Sequence, residues 1–546
     1  MADGSSKTTE LSRQPDWDRI VDVVVVGTGG GAMVAATLAA DGGADVLVVE
    51  KDSVIGGTTG VSGGVMWVPQ NHHMADEGIA DSREDALAYI LRLADGRAPD
   101  PSLIEVFVDT APEMLEYLNA KTPLCTQIVT VLPDYYLTHP SDIPGKRGPG
   151  RAVEPLPFAV RSAVGEWADC LAARSTLMSL GSQTTLVEDL SGTRLSDEER
   201  ARREREDLRY KGAAYIGALL KALLDRGVEI MVETPALQLV IVDGAVLGVR
   251  CERDGVAFTV GARQGVVLAC GGFEWNAEMV RAFIGYEVKP LTPGSNTGDG
   301  HVMGMEAGAK LGNMPSYWGQ GAMFDPAFTL DGEVVGQMSM GLGPSSFIVN
   351  GHARRFFNED VTYNDWPKAF GNFDANLPGI SNQPPAWQIF DAATRAARPI
   401  LSVGIETPTP EWIASAPTVR ELAARIGLDA DLLEAAVARF NEQAERGVDD
   451  DFSRTHVRPL EPPFYAAQTY PATLGTNGGL RIDADAQVLA ARGGVIDGLY
   501  AAGNTAAGVF GGAYPSGGAP IAAGATFGYR AGRHVAARAR RDLDRA

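Results

Sequence analysis

The sequence predicts an α/β fold built on a parallel sheet, with an α+β segment inserted into it. The first of three observations behind this prediction is an apolar, β-branched run from Val21 to Val26. A glycine-rich turn follows at once, and an apolar stretch of about ten helical residues leads to a second apolar run that ends at Glu50. Such runs are typical of strands buried on both faces, and strands joined by a helix run parallel.

Composition limits the possible classes of protein and partner. The chain has 546 residues, of which 45% are hydrophobic, and its formal net charge is −22. This length suits two or three domains, and the acidic excess argues against nucleic acid or an anionic membrane as a partner. The cysteines are widely spaced with no His nearby, so we expect buried free thiols and neither disulfides nor zinc. They are Cys125, Cys170, Cys251 and Cys270.

The N-terminal segment is polar up to Ile20 and contains no apolar core of a signal peptide. No apolar run in the sequence reaches the roughly eighteen residues that a transmembrane helix needs. We therefore predict a cytoplasmic protein with no transmembrane segment.

The turn after the first strand has the spacing of a dinucleotide-binding fingerprint. It reads Gly27-x-Gly29-x-x-Ala32 and opens the helix. Gly27 permits a tight turn, Gly29 lets the backbone approach a pyrophosphate, and Ala32 is small enough for close helix–strand packing. Glu50 ends the next strand, where an acidic residue accepts hydrogen bonds from ribose hydroxyls. The sequence therefore predicts a Rossmann-like dinucleotide site.

A second glycine patch favours FAD over NAD. It reads GGTTGVSGG from Gly56 to Gly64, and its small residues let the backbone approach the pyrophosphate and the isoalloxazine. Near the C-terminus, GLYAAGN from Gly498 to Asn504 predicts a strand and a tight turn that contacts the flavin. The sequence contains no second dinucleotide fingerprint. We therefore expect a separate electron acceptor, quinone-like or dye-like, instead of a bound NAD(P)H.

Six segments resemble the flavoprotein superfamily of fumarate reductase and succinate dehydrogenase, which includes the 3-ketosteroid dehydrogenases. They follow that family's order over nearly the whole chain: VVVVGTGGGAM, VVEKDSVIGGTTGVSGG, LACGGF, NTGDG, GTNGGL and GLYAAGN. The resemblance implies a Rossmann-like FAD-binding domain of the glutathione-reductase type with an inserted α+β catalytic domain. It also implies non-covalent FAD, because the glycine patch lacks the His to which succinate dehydrogenases attach the flavin.

The same motifs divide the chain and assign the cofactor residues. Residues 1–315 and 472–546 are predicted to form the two parts of the FAD-binding domain, and residues 316–471 the catalytic domain. The residues assigned to FAD are Gly27, Gly29, Gly30, Gly31, Ala32, Glu50, Lys51, Gly57, Thr58, Thr59, Ser62, Gly63, Gly64, Gly271, Asp299, Gly503 and Asn504.

The C-terminal loop FGGAYPSGGAP separates the branches of this superfamily. Branches that act on fumarate or succinate carry a His and an Arg here, because cationic groups clamp two carboxylates. This loop has neither, so a dicarboxylate substrate is not expected. The loop instead resembles that of 3-ketosteroid dehydrogenases. The resemblance implies that Tyr514 and the N–H of Gly518 bind the ketone oxygen as an oxyanion hole.

Two further tyrosines match the same enzymes. Tyr363, in SSFIVNGHARRFFNEDVTY, matches the family's proton-abstracting Tyr. Tyr135, in PDYYLTHP, matches the Tyr that hydrogen-bonds this base and lowers its pKa, although Tyr136 stays open for that role. An unperturbed phenol has a pKa near ~10 and needs such help to act as a base. The resemblance thus implies desaturation of an apolar cyclic ketone, a 3-ketosteroid at the 1,2 position, with hydride transfer to flavin N5.

Two alternatives stay open at this point. Ser516 stands where Δ4-(5α)-dehydrogenases carry a catalytic Ser, whereas PDYYLTHP and GTNGGL are closer to the Δ1 branch. A Ser after Pro also commonly closes a turn with its hydroxyl. The other alternative is the reverse reaction, by a fumarate-reductase-like ene-reductase with an external electron donor. His72 and His73, beyond the glycine patch, are expected at the surface.

Overall fold

The computed structural model describes residues 16–139, 141–171, 183–330, 333–339, 341–373 and 382–543. These residues form two compact units. The first unit comprises the described residues of Met1–Asn276, Thr292–Tyr317 and Gly475–Ala546, and the second those of Ala277–Leu291 and Trp318–Leu474.

The stretch Ala277–Leu291 belongs to the second unit, whereas the sequence placed it in the first part of the FAD-binding domain. The reason is a strand pairing: Lys289–Pro290 runs parallel to Phe464–Thr476. The chain therefore enters the second unit, returns to the first for Thr292–Tyr317, and then enters the second again. Periodicity along the sequence gives no sign of so short an excursion.

The first βαβ unit has the predicted form. Strand β1 (Arg19–Val26) leads into helix α1 (Gly30–Asp41), and strand β2 (Val46–Val49) runs parallel to β1. The last six residues of β1 and all four of β2 are buried, as the apolar runs predict. Helix α1 has twelve residues, and its first ten are buried, because small and apolar side chains cover almost its whole surface.

The sheet of the first unit has eight strands. The further strands are β3 (Glu229–Met231), β4 (Ala236–Val242), β5 (Ala245–Arg253), β6 (Val256–Leu268), β7 (Gln487–Leu489) and β8 (Val495–Ala501). The order is β7-β8-β6-β1-β2-β3, in which β8, β6, β1, β2 and β3 are parallel. Strand β5 pairs antiparallel with β6 and with β4, which it follows after the Asp243–Gly244 turn. The C-terminal strand β8 therefore completes the parallel sheet beside β6.

Four further helices bear on the candidate site: α2 (Gly57–Val61), α3 (Lys211–Asp225), α4 (Asp299–Glu306) and α5 (Ala519–Ala537). Helix α5 packs closely on α1. A Cβ on Gly528 would lie 2.2 Å from the carbonyl oxygen of Gly31, so the two backbones touch there and no larger residue fits. The unit's remaining helices are His72–Asp76, Arg83–Ala94, Ser102–Lys121, Val160–Val164, Gly165–Cys170, Leu186–Leu190, Asp197–Arg205 and Gly503–Thr505.

The segment 120–155, which is rich in Pro and Gly, contains two strands. Thr126–Ile128 and Ala152–Pro155 pair antiparallel, and the latter also pairs with Met66–Trp67. The intervening part, which carries Tyr135, contains turns but neither helix nor strand in its described residues. The remaining short strands of this unit form the pairs Phe158–Ala159 with Leu208–Arg209 and Leu311–Gly312 with Gly479–Leu480.

The second unit is an α+β domain around a seven-stranded sheet. The strand order is Gln337–Ser339, Tyr317–Met323, Phe464–Thr476, Ala386–Asp391 and Ser346–Val349, with Lys289–Pro290 and Ile413–Ala416 also paired to Phe464–Thr476. Helices Val419–Ile426 and Ala430–Glu445 pack on the sheet through an apolar core that includes Phe347 and Phe440. The other elements are Ala277–Met279, Val280–Ile284, Thr329–Leu330, Glu333–Val334, Trp366–Gly371 and Ala392–Ala397.

Within the described ranges, no helix is both long and apolar enough to cross a membrane. The same residues include no cluster of three or more His, Cys, Asp or Glu side chains placed to hold a metal ion. All four cysteines are free thiols, as predicted, but only Cys251 is buried and Cys125 is exposed, so the expected burial is wrong for Cys125.

Candidate active site

The turn between β1 and α1 suits the close approach of a phosphate group. Gly27 has a φ of +102°, and a Cβ there would lie 2.5 Å from the carbonyl oxygen of Ala269, so only Gly fits. An added Cβ on Gly29 would meet nothing closer than 4.0 Å, so space is open beside its backbone. Helix α1 begins directly after Gly29, and its N-terminus offers N–H groups and the positive end of the helix dipole. Ala32 is buried against the sheet, as the fingerprint requires.

Glu50 lies across this turn at the end of β2. Its Oε2 accepts hydrogen bonds from the N–H and the hydroxyl of Thr28, at 3.0 and 2.6 Å, and its Oε1 accepts one from the Asp52 N–H at 3.0 Å. Burial raises the pKa of Glu50, and these hydrogen bonds act in the opposite direction. A carboxylate has about four acceptor positions, so room remains for a ribose hydroxyl. Thr28 fills a variable position of the fingerprint, and no sequence signal marked it.

Replacing Glu50 by Ala is expected to weaken FAD binding by at least about tenfold, because a hydrogen bond to a charged group contributes roughly 1.5–3 kcal/mol. The change also leaves the buried N–H of Thr28 without its acceptor. Titration of the apoprotein with FAD, followed by flavin fluorescence, measures the effect. Glu229→Ala, which removes an exposed carboxylate paired with Arg19, is the control. Equal affinities of the two variants would remove Glu50 from the cofactor site.

The glycine patch folds as helix α2 and lies against the same turn. The Gly56 N–H donates to the Thr28 hydroxyl at 3.0 Å, and the Gly30 N–H donates to Thr59 Oγ1 at 3.2 Å. Gly57 has a φ of +48°, and a Cβ there would meet nothing within 4 Å. The patch thus adds a second stretch of open backbone beside the fingerprint.

The end of the patch packs on helix α3. The hydroxyl of Ser62 donates to the Thr59 carbonyl at 2.7 Å and accepts from the Gly64 N–H at 3.0 Å. A Cβ on Gly64 would lie 2.3 Å from the carbonyl carbon of Lys211, so Gly64 permits this close packing. Gly63, between Ser62 and Gly64 in the sequence, is half-buried. These contacts give Ser62 and Gly64 a role in holding the patch in place.

Lys51 and Asp299, which come from separate motifs, form an ion pair. Lys51 Nζ lies 2.7 Å from Asp299 Oδ2 and 2.6 Å from the hydroxyl of Thr297. Because Asp299 begins helix α4, the pair joins the end of β2 to the NTGDG motif. The structure thus brings together two predicted residues that lie far apart in the sequence.

A buried carboxylate that sequence reasoning missed joins three motifs. Glu274 Oε1 accepts from the Asn296 side-chain amide at 2.9 Å, and its Oε2 accepts from the Thr476 N–H at 3.2 Å. The same Asn296 amide donates to Thr58 Oγ1 at 2.9 Å, which ties the glycine patch into this network. Gly271 packs against it, because a Cβ there would lie 2.2 Å from Asn296 Oδ1. The only sequence signal for Glu274 is its position directly after LACGGF.

The turn after β8 reaches the same region. Gly503 has a φ of +61°, and a Cβ there would meet nothing within 4 Å, while one on Gly31 would lie 3.5 Å from the Gly503 nitrogen. Asn504 follows in the same 3-10 turn. The hydroxyl of Thr505 donates to the Gly271 carbonyl at 3.0 Å. The C-terminal part of the chain therefore contributes to the turn around the fingerprint.

These features fit FAD. Gly29, Gly57 and Gly503 leave open space beside the backbone near the N-terminus of α1, which suits an extended dinucleotide. Glu50 keeps an acceptor position free for the ribose hydroxyl that the fingerprint predicts there. The glycine patch contains no His, Cys or Tyr to form a covalent link, in keeping with the non-covalent attachment that the resemblance implies.

Tyr514 and Gly518 lie in the loop before α5. Tyr514 is buried, and its ring stacks on that of Tyr135 with a centroid distance of 5.8 Å and an interplanar angle of 14°. Gly518 has a φ of +89°, and a Cβ there would lie 2.2 Å from the carbonyl oxygen of Val65, so only Gly fits. Gly518 also precedes the first residue of α5, where the helix dipole favours negative charge. The structure thus brings Tyr135, Tyr514 and Gly518 together.

Tyr135 and Tyr136 face different neighbours. The ring of Tyr136 lies 5.9 Å from the His139 ring, whereas that of Tyr135 stacks on Tyr514. A Cβ on Gly517 would lie 3.0 Å from the Tyr135 hydroxyl, so this hydroxyl reaches the C-terminal loop. Of the two tyrosines that the sequence left open, Tyr135 has the better placement for a role beside Tyr514.

The hydroxyl of Ser516 forms a hydrogen bond within the protein. Its Oγ donates to the Pro133 carbonyl at 2.9 Å, and the residue is 1% exposed. The Ser516 carbonyl accepts from the Ala519 N–H at 3.3 Å. These bonds favour a structural role for Ser516 over a catalytic one.

Replacing Ser516 by Ala is expected to lower the free energy of unfolding by about 1–3 kcal/mol, because the Pro133 carbonyl loses its donor. The choice of bond that is desaturated should not change. Chemical denaturation and NMR of the product measure the two effects. Ser102→Ala, which removes an exposed hydroxyl bonded to Asp100, is the control. Lost turnover at unchanged stability would give Ser516 a catalytic role after all.

Tyr363 lies in the second unit, whereas the other predicted catalytic residues lie in the first. Its neighbour Asn364 is fully buried and accepts a hydrogen bond from the Gly319 N–H at 2.9 Å. Upstream, Glu359 Oε1 accepts from the Ile348 N–H at 2.9 Å. The chain is thus fixed on both sides of Tyr363, which is itself half-buried.

The prediction that His72 and His73 lie at the surface is wrong. Both are half-buried, and their rings lie 4.0 Å apart. His73 Nε2 is 2.8 Å from Thr126 Oγ1, and Asn119 Nδ2 is 3.2 Å from His72 Nε2. Burial lowers the pKa of His73. No sequence pattern marks this burial, because the partners come from a helix and a strand some fifty residues downstream.

Together, the parallel sheet, the fingerprint turn and the tyrosine loops define an FAD-dependent oxidoreductase. The model of the FAD binding domain family matches residues 22–521, and the chain belongs to this family. The fold class and FAD as the cofactor are confirmed.

Relatives of known activity cover almost the whole chain. The chain is 34% identical to the 3-oxosteroid 1-dehydrogenase of Mycobacterium tuberculosis (strain ATCC 25618 / H37Rv), over 94% of this chain and 98% of that protein. It is 33% identical to the 4-oxocyclohexanecarboxylate 2-dehydrogenase of Sinomonas cyclohexanicum, over 95% of this chain and 93% of that protein. These relatives confirm the enzyme class that the motifs predict, an FAD-dependent oxidoreductase acting on CH–CH groups.

A solved structure resembles the chain over the same extent. It is the 3-ketosteroid delta1-dehydrogenase from Sterolibacterium denitrificans in complex with 1,4-androstadiene-3,17-dione, with a TM-score of 0.83 and 31% identity. The match covers 95% of this chain and 100% of that one. Over the matched residues, this chain therefore has the fold of a 3-ketosteroid dehydrogenase.

Proposed function

We propose that this protein introduces the 1,2 double bond into a 3-ketosteroid. The observation that carries the proposal is the C-terminal loop, in which Tyr514 stacks on Tyr135 and Gly518 stands at the N-terminus of α5. The activity of the 3-oxosteroid 1-dehydrogenase relative and the steroid bound to the similar structure support it. The lack of His and Arg in this loop also favours a neutral ketone over a dicarboxylate.

Tyr514 and Gly518 bind the ketone oxygen in this proposal. The hydroxyl of Tyr514 and the N–H of Gly518 each donate a hydrogen bond to it. As the neighbouring carbon loses its proton, negative charge builds up on the oxygen as an enolate. Two fixed donors, one of them at a helix N-terminus, stabilise this charge more than the neutral ketone, which is the condition for catalysis.

Tyr363 takes the proton in this proposal. The C–H bond next to the ketone breaks, its electron pair moves towards the ketone oxygen, and the proton passes to the oxygen of Tyr363. FAD, when bound, supplies the acceptor for the hydride that leaves the neighbouring carbon. The double bond forms between the carbon that lost the proton and the carbon that lost the hydride. A separate quinone-like or dye-like acceptor would then take up the two electrons of the hydride. The assistance of Tyr135 to this base stays a prediction.

The direct test is to incubate the FAD-loaded protein anaerobically with androstenedione or 5α-androstanedione and a redox dye. Bleaching of the dye with a new 1,2 double bond, located by NMR and mass spectrometry, is the expected result. If 5α-androstanedione gains a 4,5 double bond and neither substrate gains a 1,2 double bond, the protein is a Δ4-(5α)-dehydrogenase instead. Oxidation of a reduced dye by an enone, without the forward reaction, would show an ene-reductase.

A second candidate is desaturation of a monocyclic ketone such as 4-oxocyclohexanecarboxylate. The 33% identity to an enzyme with that name favours it. The same incubation with 4-oxocyclohexanecarboxylate in place of the steroid separates the candidates. A kcat/KM for this ketone at least tenfold above that for androstenedione would replace the steroid proposal. A value at least tenfold below it would support the steroid.

A further inference from the structure

Two hydrogen bonds join the loop that carries Tyr135 directly to the loop that carries Tyr514, and two more connect the loops through Tyr89. The carbonyl of Pro515 accepts from the Tyr135 N–H at 3.0 Å and from the Tyr89 hydroxyl at 2.7 Å. The Tyr89 hydroxyl accepts in turn from the Tyr136 N–H at 3.4 Å. The fourth bond runs from Ser516 Oγ to the Pro133 carbonyl, at 2.9 Å.

The Tyr89 hydroxyl bridges the two loops. It donates to Pro515, the residue after Tyr514, and accepts from Tyr136, the residue after Tyr135. Tyr89 belongs to the helix Arg83–Ala94, so neither loop supplies it. A group that bonds to both loops from a third element ties them to that element and supports the two direct bonds between them, because neither loop can shift without breaking one of its bonds.

Tyr89 is itself firmly held and stays protonated. Its side chain is fully buried, and its ring lies 6.2 Å from the Trp67 ring and under the Arg151 guanidinium at 5.9 Å. Burial, aided by the negative charge of Asp134, raises the pKa of Tyr89 far above its usual range. The hydroxyl therefore stays protonated and able to donate at neutral pH.

A buried ion pair fixes the other end of this arrangement. Asp134, directly before Tyr135, accepts from Arg151 at 2.8 Å and from Trp67 Nε1 at 2.9 Å. The side chains of Asp134 and Arg151 are each 1% exposed, so breaking the pair leaves an uncompensated buried charge. The backbone before Tyr135 is thus anchored, and the Tyr89 hydroxyl adds a further bond to the Pro515 carbonyl that the Tyr135 N–H also contacts.

We propose that Tyr89 is a positioning residue which holds Tyr514 at the correct distance from Tyr135 through the carbonyl of Pro515. This inference rests on the proposed function, in which Tyr514 binds the ketone oxygen. Tyr89 acts through Tyr514 and does not touch the substrate. Because small displacements of an oriented group cost up to about 100-fold in rate, loss of the bridge should slow the chemical step and change substrate binding little.

The test compares rates of flavin reduction by a 3-ketosteroid in single turnovers, for Tyr89→Phe, Tyr514→Phe and the double variant. Tyr89→Phe is expected to slow reduction by about 10- to 100-fold in the wild-type background. In the Tyr514→Phe background it should slow reduction less than about twofold, because the group it positions is gone. The substrate concentration for half-maximal rate should change less than threefold (~0.65 kcal/mol).

The control is Tyr529→Phe. Tyr529 is also a buried helical Tyr whose hydroxyl donates one hydrogen bond, to Glu113 at 2.8 Å, and accepts another, from Arg533 at 3.2 Å. It measures the general effect of removing such a hydroxyl, and it should leave the rate of flavin reduction unchanged.

The outcomes separate this inference from the proposed function. Suppose that Tyr514→Phe is slow, as the proposed function requires. Equal slowing by Tyr89→Phe in the wild-type and Tyr514→Phe backgrounds, or no slowing in either, would then overturn the positioning role alone. An unimpaired Tyr514→Phe would overturn the proposed function and the inference with it. If Tyr89→Phe does not retain FAD, Tyr136 is replaced by its α-hydroxy acid analogue, which turns the N–H that donates to Tyr89 into an ester oxygen and keeps the side chain. This variant is expected to slow reduction in the same background-dependent way.

Discussion

Replacing Tyr363 by Phe is expected to slow flavin reduction by a 3-ketosteroid by about 10²–10⁴-fold, the usual contribution of a general base. The phenol oxygen that receives the proton is gone, and the ring remains. Because Asn364 and Glu359 fix the chain on both sides through their own hydrogen bonds, the fold of the second unit should persist. FAD binding should also persist, since every residue assigned to FAD lies in the first unit.

Anaerobic stopped-flow absorbance, which follows the loss of oxidised flavin, measures this rate. Tyr470→Phe is a matched control in the same unit, because it removes a hydroxyl that donates to the side chain of Gln468. The control variant should reduce its flavin at the wild-type rate. Undiminished reduction in Tyr363→Phe would remove this residue from the mechanism and leave the base unassigned.

Replacing Tyr514 by Phe is the second large effect. Loss of one donor to the developing oxyanion typically costs about 10²–10³-fold, or about 3 kcal/mol of transition-state stabilisation. The Gly518 N–H remains as the other donor, so some activity should survive. The stacking of ring 514 on Tyr135 is also kept, because Phe and Tyr have the same ring.

The way in which the loss divides between kcat and KM tests the assignment of Tyr514. An oxyanion donor acts mainly in the transition state, so kcat and kcat/KM should fall together while KM changes little. Steady-state kinetics with a dye acceptor measure kcat and KM. A titration with product, followed by flavin absorbance, measures binding separately. A rise in KM alone would make Tyr514 a substrate-binding residue with no part in enolate stabilisation.

Much of the cofactor site could be predicted from the sequence. Gly27, Gly29 and Ala32 lie within one βαβ unit, where a few residues of spacing fix the geometry. The predicted turn, helix and buried strand are present, and Gly27 has the positive φ that the fingerprint requires. Such local motifs are readable because the backbone itself makes the site.

The hydrogen-bond network around this site could not be predicted. Glu274 joins Asn296 and Thr476, and the last of these lies 202 residues further along the chain. A buried Glu gives no periodic signal, and its partners are ordinary polar residues. Only the folded chain shows that its charge is buried and matched by donors.

For the catalytic loops, too, the sequence predicted one part and the structure decided the rest. Family motifs in the sequence marked Tyr135, Tyr514 and Gly518, but they left Tyr135 and Tyr136 undecided and gave Ser516 two opposite roles. The structure favours Tyr135, which stacks on Tyr514, and bonds Ser516 to the Pro133 carbonyl, 383 residues away in the chain. Neither contact has a signature within its own segment.

The sequence by itself therefore determined the fold class and FAD, which depend on short-range patterns of apolar periodicity and glycine spacing. The type of reaction followed from the resemblance of its motifs, in their fixed order, to a known family. Tertiary structure alone decided that residues 277–291 belong to the second unit and that the Ser516 hydroxyl bonds to a backbone carbonyl. It also decided how Tyr89 bridges two loops. Those properties depend on contacts between distant segments, whose hydrogen-bond partners and burial are fixed only when the chain has folded.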